Sequence, residues 1–313
     1  MKPKAIYYDI LKYQQKNLFL LKDKFDIAVL NDPTENTDET WESVELLFAP
    51  LGFQVDKAYI DRCPKLKVIA SNTTGIPHID KSYADKKNIT VCALHDEQDF
   101  LETITPTSEH TVGLIISTLR RIPAAHNAAS SGRWDRRPWG APKMLSRMTL
   151  GIVGMGRLGR QVKHIMNSFE MTVLFYDPYV KGSEKDLVTM AKKCNVLSIN
   201  AVANKETKGL VDLEVLSALP KNAIVVNTAR GEILELNALL DLLESGHLWG
   251  AALDTIDGEY DMKFNDNFFT SRVATYAREN DNLILTPHIG GSTIDAWTET
   301  EERVIKKSIE ILC

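Results

Sequence analysis

A chain of 313 residues is longer than one ordinary core, so two domains are the starting expectation. Hydrophobic residues at 44% and charged residues at 25% fit a globular composition, and a net charge of −5 argues against a nucleic-acid binder, which would be basic. The opening MKPKAIYYDILKYQQKN lacks the apolar core of a signal peptide, and no stretch approaches the roughly 18 continuous apolar residues of a membrane span. A cytoplasmic protein without membrane contact is expected.

Short apolar runs alternate with helical stretches, the pattern of an α/β protein with parallel sheets. The first strand candidates are residues 5–10, 26–30, 44–48, 66–71 and 89–94, enough for one small doubly wound sheet. A long helix follows. Thr105-Pro106 suits a cap and a first-turn proline, and Val112, Ile115, Ile116, Leu119 and Ile122 recur at helical spacing. Residues 130–143 are rich in Gly, Pro, Trp and Arg and read as an irregular connection. The basic run Arg133, Arg136, Arg137 there suits a solvated loop or a subunit contact better than an anionic substrate. A second set of strand candidates covers 149–155, 171–177, 194–200, 223–229, 250–256 and 282–288, which is what a dinucleotide-binding sheet needs. Ser292 is a candidate cap for a last helix with Ile294, Trp297, Val304, Ile305, Ile309 and Leu312 on its apolar side. Cys63, Cys92, Cys194 and Cys313 show no paired spacing and are expected as reduced, buried thiols, and no cluster has metal-ligand spacing.

The segment TLGIVGMGRLGRQVKHIMNSF is the strongest local signal. A strand leads into Gly154-x-Gly156-x-x-Gly159, and a helix follows. The first glycine permits the tight turn, the second lets backbone approach a pyrophosphate, and the third lets helix and strand pack closely. The helix start then offers free N–H groups to phosphates. The next strand ends at Asp177, eighteen residues after Gly159. A carboxylate there would accept hydrogen bonds from the adenine ribose and repel a 2′-phosphate, which points to NAD over NADP; otherwise Asp177 is a turn residue before Pro178.

Three later strand ends carry unusual polar residues: Arg230 in VVNTARGEI, Asp254 and Glu259 in ALDTIDGE, and His288 in LILTPHIGG. In a doubly wound sheet the carboxyl ends of the strands open onto one crevice. Reducing a 2-oxo acid needs a cation to hold the carboxylate and polarise the ketone, a role for arginine. It also needs a proton donor, a role for histidine, and a carboxylate to orient that histidine. Arg230, His288 and Glu259 suit these roles as a catalytic set. Of the other histidines, His110 reads as packing or hinge and His78 as surface or loop. Trp134, Trp139, Trp249 and Trp297 read as packing residues.

Taken in order, GMGRLGR, YDP, NTARGE, ALD…E and TPHIGG resemble the D-isomer-specific 2-hydroxyacid dehydrogenase family, and SEHTVGLIISTLRRI and SNTTGIPHID extend the likeness over nearly the whole chain. The resemblance implies NAD-dependent hydride transfer at C2 of a 2-hydroxy or 2-oxo acid, with Arg230 on the substrate, His288 as acid/base and Glu259 as its partner. It implies that Thr74 and Gly75 receive the substrate carboxylate. It places the cofactor against Gly154, Gly156, Arg157, Leu158, Gly159, Asp177, Ala201, Val202, Thr207, Thr228, Ala229, Arg230, Asp254, His288 and Gly290, with Asp254 at the nicotinamide end. The implied architecture is α/β with two doubly wound domains: a flavodoxin-like substrate domain (1–106 and 289–313), interrupted by a Rossmann NAD-binding domain (107–288), with substrate in the cleft between them. A homodimer is implied as well.

Two departures from the family pattern stand out. Asn200-Ala201-Val202 occupies the place of a His-x-Pro, and 28 residues separate Glu259 from His288, a longer connection than in many relatives. The insert YDMKFNDNFFTSRVATYAREND reads equally as a lid or interface element and as a passive loop. An NAD-sensing interaction protein on the same fold is the alternative to an enzyme, since fold does not fix function.

Overall fold

The computed structural model describes residues 2–261 and 263–313. The chain divides into two compact units: residues up to Ile104 together with Ser292–Cys313, and Thr105–Gly291.

In the first unit, strands β1 (Lys4–Tyr8), β2 (Asp26–Leu30), β3 (Leu46–Phe48), β4 (Val68–Ala70) and β5 (Thr90–Cys92) form a parallel sheet in the order β2-β1-β3-β4-β5. This is a flavodoxin-like order. Successive side chains of a strand point to opposite faces. Ile6, Tyr8, Leu47 and Ile69 therefore enter one core and Ala5, Tyr7, Leu46, Phe48 and Val68 the other. The second core is closed by the last helix, Ile294–Leu312, through Val304 and Ile305. That helix buries Glu301, which accepts the Gln14 amide and the Asn17 amide group, each at 2.8 Å. Its cap is Thr293, not Ser292: the Thr293 hydroxyl accepts from the Ala296 N–H. Ile294 and Trp297, expected on the apolar side, are exposed, because the buried face runs instead through Ala296, Thr300, Glu301, Val304, Ile305 and Ser308.

The second unit carries β6 (Thr149–Val153), β7 (Thr172–Tyr176), β8 (Val196–Ile199), β9 (Ile224–Asn227), β10 (Gly250–Leu253) and β11 (Leu283–Leu285). All pairings are parallel, in the order β11-β10-β9-β8-β6-β7. The strand order reverses between β6 and β8, and a ligand crevice belongs at that switch point. Both faces are covered, so the strands are mostly apolar. The helix Pro106–Arg120 lies against one face through Val112, Ile115 and Leu119. It ends sooner than its apolar spacing suggests: Arg121 is left-handed (φ 49°), and Ile122 opens a separate helix, Ile122–Ser130. The Thr105 side chain does not cap the helix backbone; its hydroxyl bonds Glu109. Trp134, expected to pack, is 93% exposed in the irregular stretch that follows. The 260–281 insert contains the helices Phe264–Phe268 and Arg272–Glu279, and Val273 and Tyr276 of the latter are core residues. That half of the insert is part of the packed unit.

A Cβ on Gly159 would overlap the Gly154 carbonyl oxygen and press on Ile152. Gly159→Ala is therefore expected to cost about 1–3 kcal/mol, as overpacking does, and to lower the thermal unfolding midpoint by several degrees. An unchanged midpoint would show that helix and strand have room to part.

Candidate active site

Asp254, just beyond β10, is 2% exposed. A carboxylate so deeply buried requires partners. Its Oδ1 accepts the Thr286 hydroxyl at 2.6 Å and the Ile289 N–H at 2.9 Å, and its Oδ2 accepts the Gly290 N–H at 2.8 Å. His110 Nε2 lies 3.3 Å from Oδ1 and 3.1 Å from the Thr286 hydroxyl. Burial pushes this carboxyl up, but the donors from His110, Thr286, Gly290 and Ile289 outweigh it, and the group is held below the ordinary carboxylate range. His110, read as packing or hinge, is thus part of a polar network.

That network holds the turn bearing His288. The His288 backbone has a left-handed φ of 52°, and its N–H donates to the Asp254 carbonyl at 2.9 Å. A non-glycine residue there costs on the order of 1–3 kcal/mol and persists where its surroundings over-determine it. The imidazole Nδ1 lies 2.8 Å from Glu259 Oε1 and 3.2 Å from the Tyr260 hydroxyl. The Glu259 and His288 side chains are 14% and 32% exposed, so the pair is sheltered yet reachable. Among the described residues no partner takes Nε2.

Arg230 is set by the end of β9. The Asn227 side chain accepts the Ala229 N–H at 3.0 Å and donates to the Arg230 carbonyl at 2.9 Å. Arg230 Nη1 donates to the Ala229 carbonyl at 2.7 Å. The Thr228 hydroxyl pairs with that of Thr111 on the long helix at 2.7 Å. Gly231 is needed because a Cβ would overlap the backbone at Ile256–Asp257. The second unit thus brings together Asp254, Glu259, Tyr260, His288 and Gly290, with Arg230 near enough to act on the Tyr260 hydroxyl. Sequence reasoning missed Tyr260, Asn227 and Thr286. Tyr260 had one available signal, its place beside Glu259.

A dinucleotide fits the other end of the crevice. Gly154 (φ 90°) has no room for a side chain, since a Cβ would lie 2.5 Å from Ala201 Cα; the loops after β6 and β8 touch there. Gly156, by contrast, faces open space, with nothing within 4 Å of such a Cβ, and it opens the helix Arg157–Asn167. Asp177 Oδ2 accepts the Met155 N–H at 2.8 Å and Oδ1 the Tyr179 N–H at 3.1 Å, which ties the carboxylate to the glycine turn. Asn200 is buried; its Oδ1 accepts the Ser198 hydroxyl, and its Nδ2 has no partner among the described residues, a donor left for a ligand. Val202 is 79% exposed, and its carbonyl accepts the Thr207 hydroxyl at 2.7 Å. The half-buried Leu158 packs from the helix against the sheet.

In the first unit, Thr74 and Gly75 follow β4, where the Thr73 hydroxyl donates to the Gly75 carbonyl at 2.7 Å. His78, read as surface or loop, is 2% exposed, and burial pushes its imidazole down to about 4.

Residues 112–290 match the model of the D-isomer specific 2-hydroxyacid dehydrogenase NAD binding domain, and residues 5–98 that of the same family's catalytic domain. The chain belongs to this family. It is 30% identical over 317 residues to a glyoxylate reductase of Thermofilum pendens, covering 95% of this chain and 88% of that protein. It is 30% identical to the D-3-phosphoglycerate dehydrogenase of Methanocaldococcus jannaschii over 88% of this chain, which is 52% of that longer protein. The fold is shared with the D-lactate dehydrogenase of Aquifex aeolicus, solved with NAD and lactic acid: TM-score 0.80, 22% identity, covering 99% of this chain and 94% of that one. Family membership makes the protein a nicotinamide-dependent 2-hydroxyacid oxidoreductase.

The lowered Asp254 carboxyl gives a pH prediction. It stabilises the folded chain above the ordinary carboxylate value of about 4, and the contribution is lost as pH falls through the lowered value. Asp254→Asn is expected to cost about 1–3 kcal/mol at pH 7, where its amide faces donors, and to flatten the loss of stability between pH 5 and acid, measured by chemical denaturation. An unchanged stability at pH 7 would contradict the network.

Proposed function

We propose that the protein uses NAD(H) to interconvert a small 2-oxo acid and its D-2-hydroxy acid, with His288 as acid/base. The observation that carries this is the Glu259–His288 pair, with Nε2 unpartnered among the described residues. The bound cofactor supplies or accepts the hydride at C2. For reduction, the His288 imidazolium gives its Nε2 proton to the oxygen that forms the hydroxyl, while Glu259 keeps Nδ1 protonated. For oxidation, neutral Nε2 removes that proton. Arg230 holds the substrate's carboxylate and carbonyl oxygen through its two-pronged donor set. The Thr74 and Gly75 amides are assigned to the carboxylate on the family pattern. Asp254 holds the turn that carries His288 and Gly290.

The half-buried Asp177 supports NAD over NADP: a 2′-phosphate beside a carboxylate is repelled. Gly154, Gly156, Arg157, Leu158, Gly159, Ala201, Val202, Thr207, Thr228 and Ala229 complete the cofactor site in this proposal. We further propose a cytoplasmic homodimer; no helix of the described residues is long and apolar enough to cross a membrane. Family membership favours the enzyme over the NAD-sensing alternative, whereas the set Arg230, Glu259 and His288 is compatible with both.

NADH oxidation with glyoxylate, pyruvate, hydroxypyruvate and phenylpyruvate is the test, with turnover expected on at least one. Tight NADH binding without turnover on any 2-oxo acid would favour the sensing protein. His288→Ala should lower kcat by roughly 10²–10⁴-fold, the usual worth of general acid–base catalysis, while NADH still binds; unchanged kcat would remove His288 from the chemistry. Asp177→Ala should weaken NAD binding and relax discrimination against NADP, and a native preference for NADP would contradict the role given to Asp177.

A further inference from the structure

The chain places two consecutive side chains on one nitrogen. Glu259 Oε1 is 2.8 Å and the Tyr260 hydroxyl 3.2 Å from His288 Nδ1. Neighbours in a strand would point to opposite faces. Here they converge because residues 256–261 form a tight turn, with Gly258 at φ 78°, the Glu259 N–H donating to the Ile256 carbonyl and the Asp261 N–H to the Gly258 carbonyl. The Tyr260 and His288 rings lie 6.0 Å apart, tilted at 51° and not stacked, and the hydroxyl is the part of Tyr260 that meets the imidazole nitrogen.

We propose that Tyr260 is a second positioning residue for proton transfer: its hydroxyl oxygen shares the Nδ1–H of His288 with Glu259. This rests on the acid/base role given to His288 above. A phenol oxygen has acceptor capacity to spare while it keeps its own proton. Tyr260 does keep it: burial raises the hydroxyl above the ordinary phenol value, Arg230 opposes that rise, and Glu259, Glu232 and Asp254 add to it. Glu259 and Tyr260 are the titratable side chains in contact with His288; Arg230, Glu232 and Asp254 lie around Tyr260, and His110 lies beyond Asp254. Two acceptors on Nδ1–H hold the tautomer in which Nε2 exchanges the proton.

Tyr260→Phe keeps the ring and removes the acceptor. Reduction consumes the Nε2 proton, so kcat/KM for reduction is expected to fall with rising pH, with a midpoint that the unmodified protein's profile defines. Loss of one hydrogen bond to the cation should move that midpoint down by about 0.3–1 pH unit and lower kcat a few-fold near pH 7.5. NADH binding, followed by quenching of protein fluorescence, should be unchanged. Glu259→Gln, which weakens the stronger acceptor, should move the midpoint further. A Tyr260→Phe profile superimposable on the unmodified protein's would overturn the proposal for Tyr260 alone, provided His288→Ala has lost turnover. A His288→Ala protein that retains turnover would overturn both the acid/base role and the role of Tyr260.

Discussion

One buried carboxylate organises the end of the sheet that bears the proposed catalytic residues. Asp254 gathers the Thr286 hydroxyl, the Ile289 and Gly290 amides and the His110 ring, and so ties the end of β10 to the turn beyond β11 and to the long helix. The hydrogen bonds offset the cost of its burial and hold His288 in a backbone conformation it would not adopt alone. A Cβ on Gly290 would lie 2.8 Å from Asp254 Oδ2, so a side chain there would have to displace the carboxylate. The imidazole direction, and with it the approach to Glu259 and Tyr260, follows from this pinned turn.

The cofactor end obeys a different constraint, close approach of backbone to backbone. Gly154 lets the loops after β6 and β8 touch, and Gly159 lets the helix Arg157–Asn167 pack on β6. Asp177 is bonded to the turn itself through the Met155 amide, so the group proposed to read the ribose is braced by the loop proposed to cradle the phosphates. The two ends are built on one sheet, from β7 at one edge to β11 at the other.

The strands were legible because each is a short apolar run bounded by turn residues. Their carboxyl ends were not. In VVNTARG the ladder stops at Asn227, and in LILTPH it stops at Leu285, although the apolar and β-branched pattern runs on. The residues beyond leave the ladder to build the site, as Asn227 does when its side chain bonds Ala229 and Arg230. Arg230, Glu259 and His288, the proposed catalytic set, stood out in the sequence because their chemistry is unusual at strand ends. His110 could not, since its contact with Asp254 joins residues 144 positions apart and has no local signature. Trp134 and Trp297 misled for a simpler reason: large apolar side chains are often inside, but the rule does not run in reverse. The insert after Glu259 was ambiguous because Val273 and Tyr276 show their core role only when the helix is seen against β11.

The most direct measurement follows the hydride itself. NADH deuterated at both C4 positions would be supplied with a 2-oxo acid that the protein reduces, and the product examined by mass spectrometry and chiral chromatography. One deuterium at C2 of a D-2-hydroxy acid is the expected result. A product without the label, or one of L configuration, would contradict hydride transfer to C2 on this site.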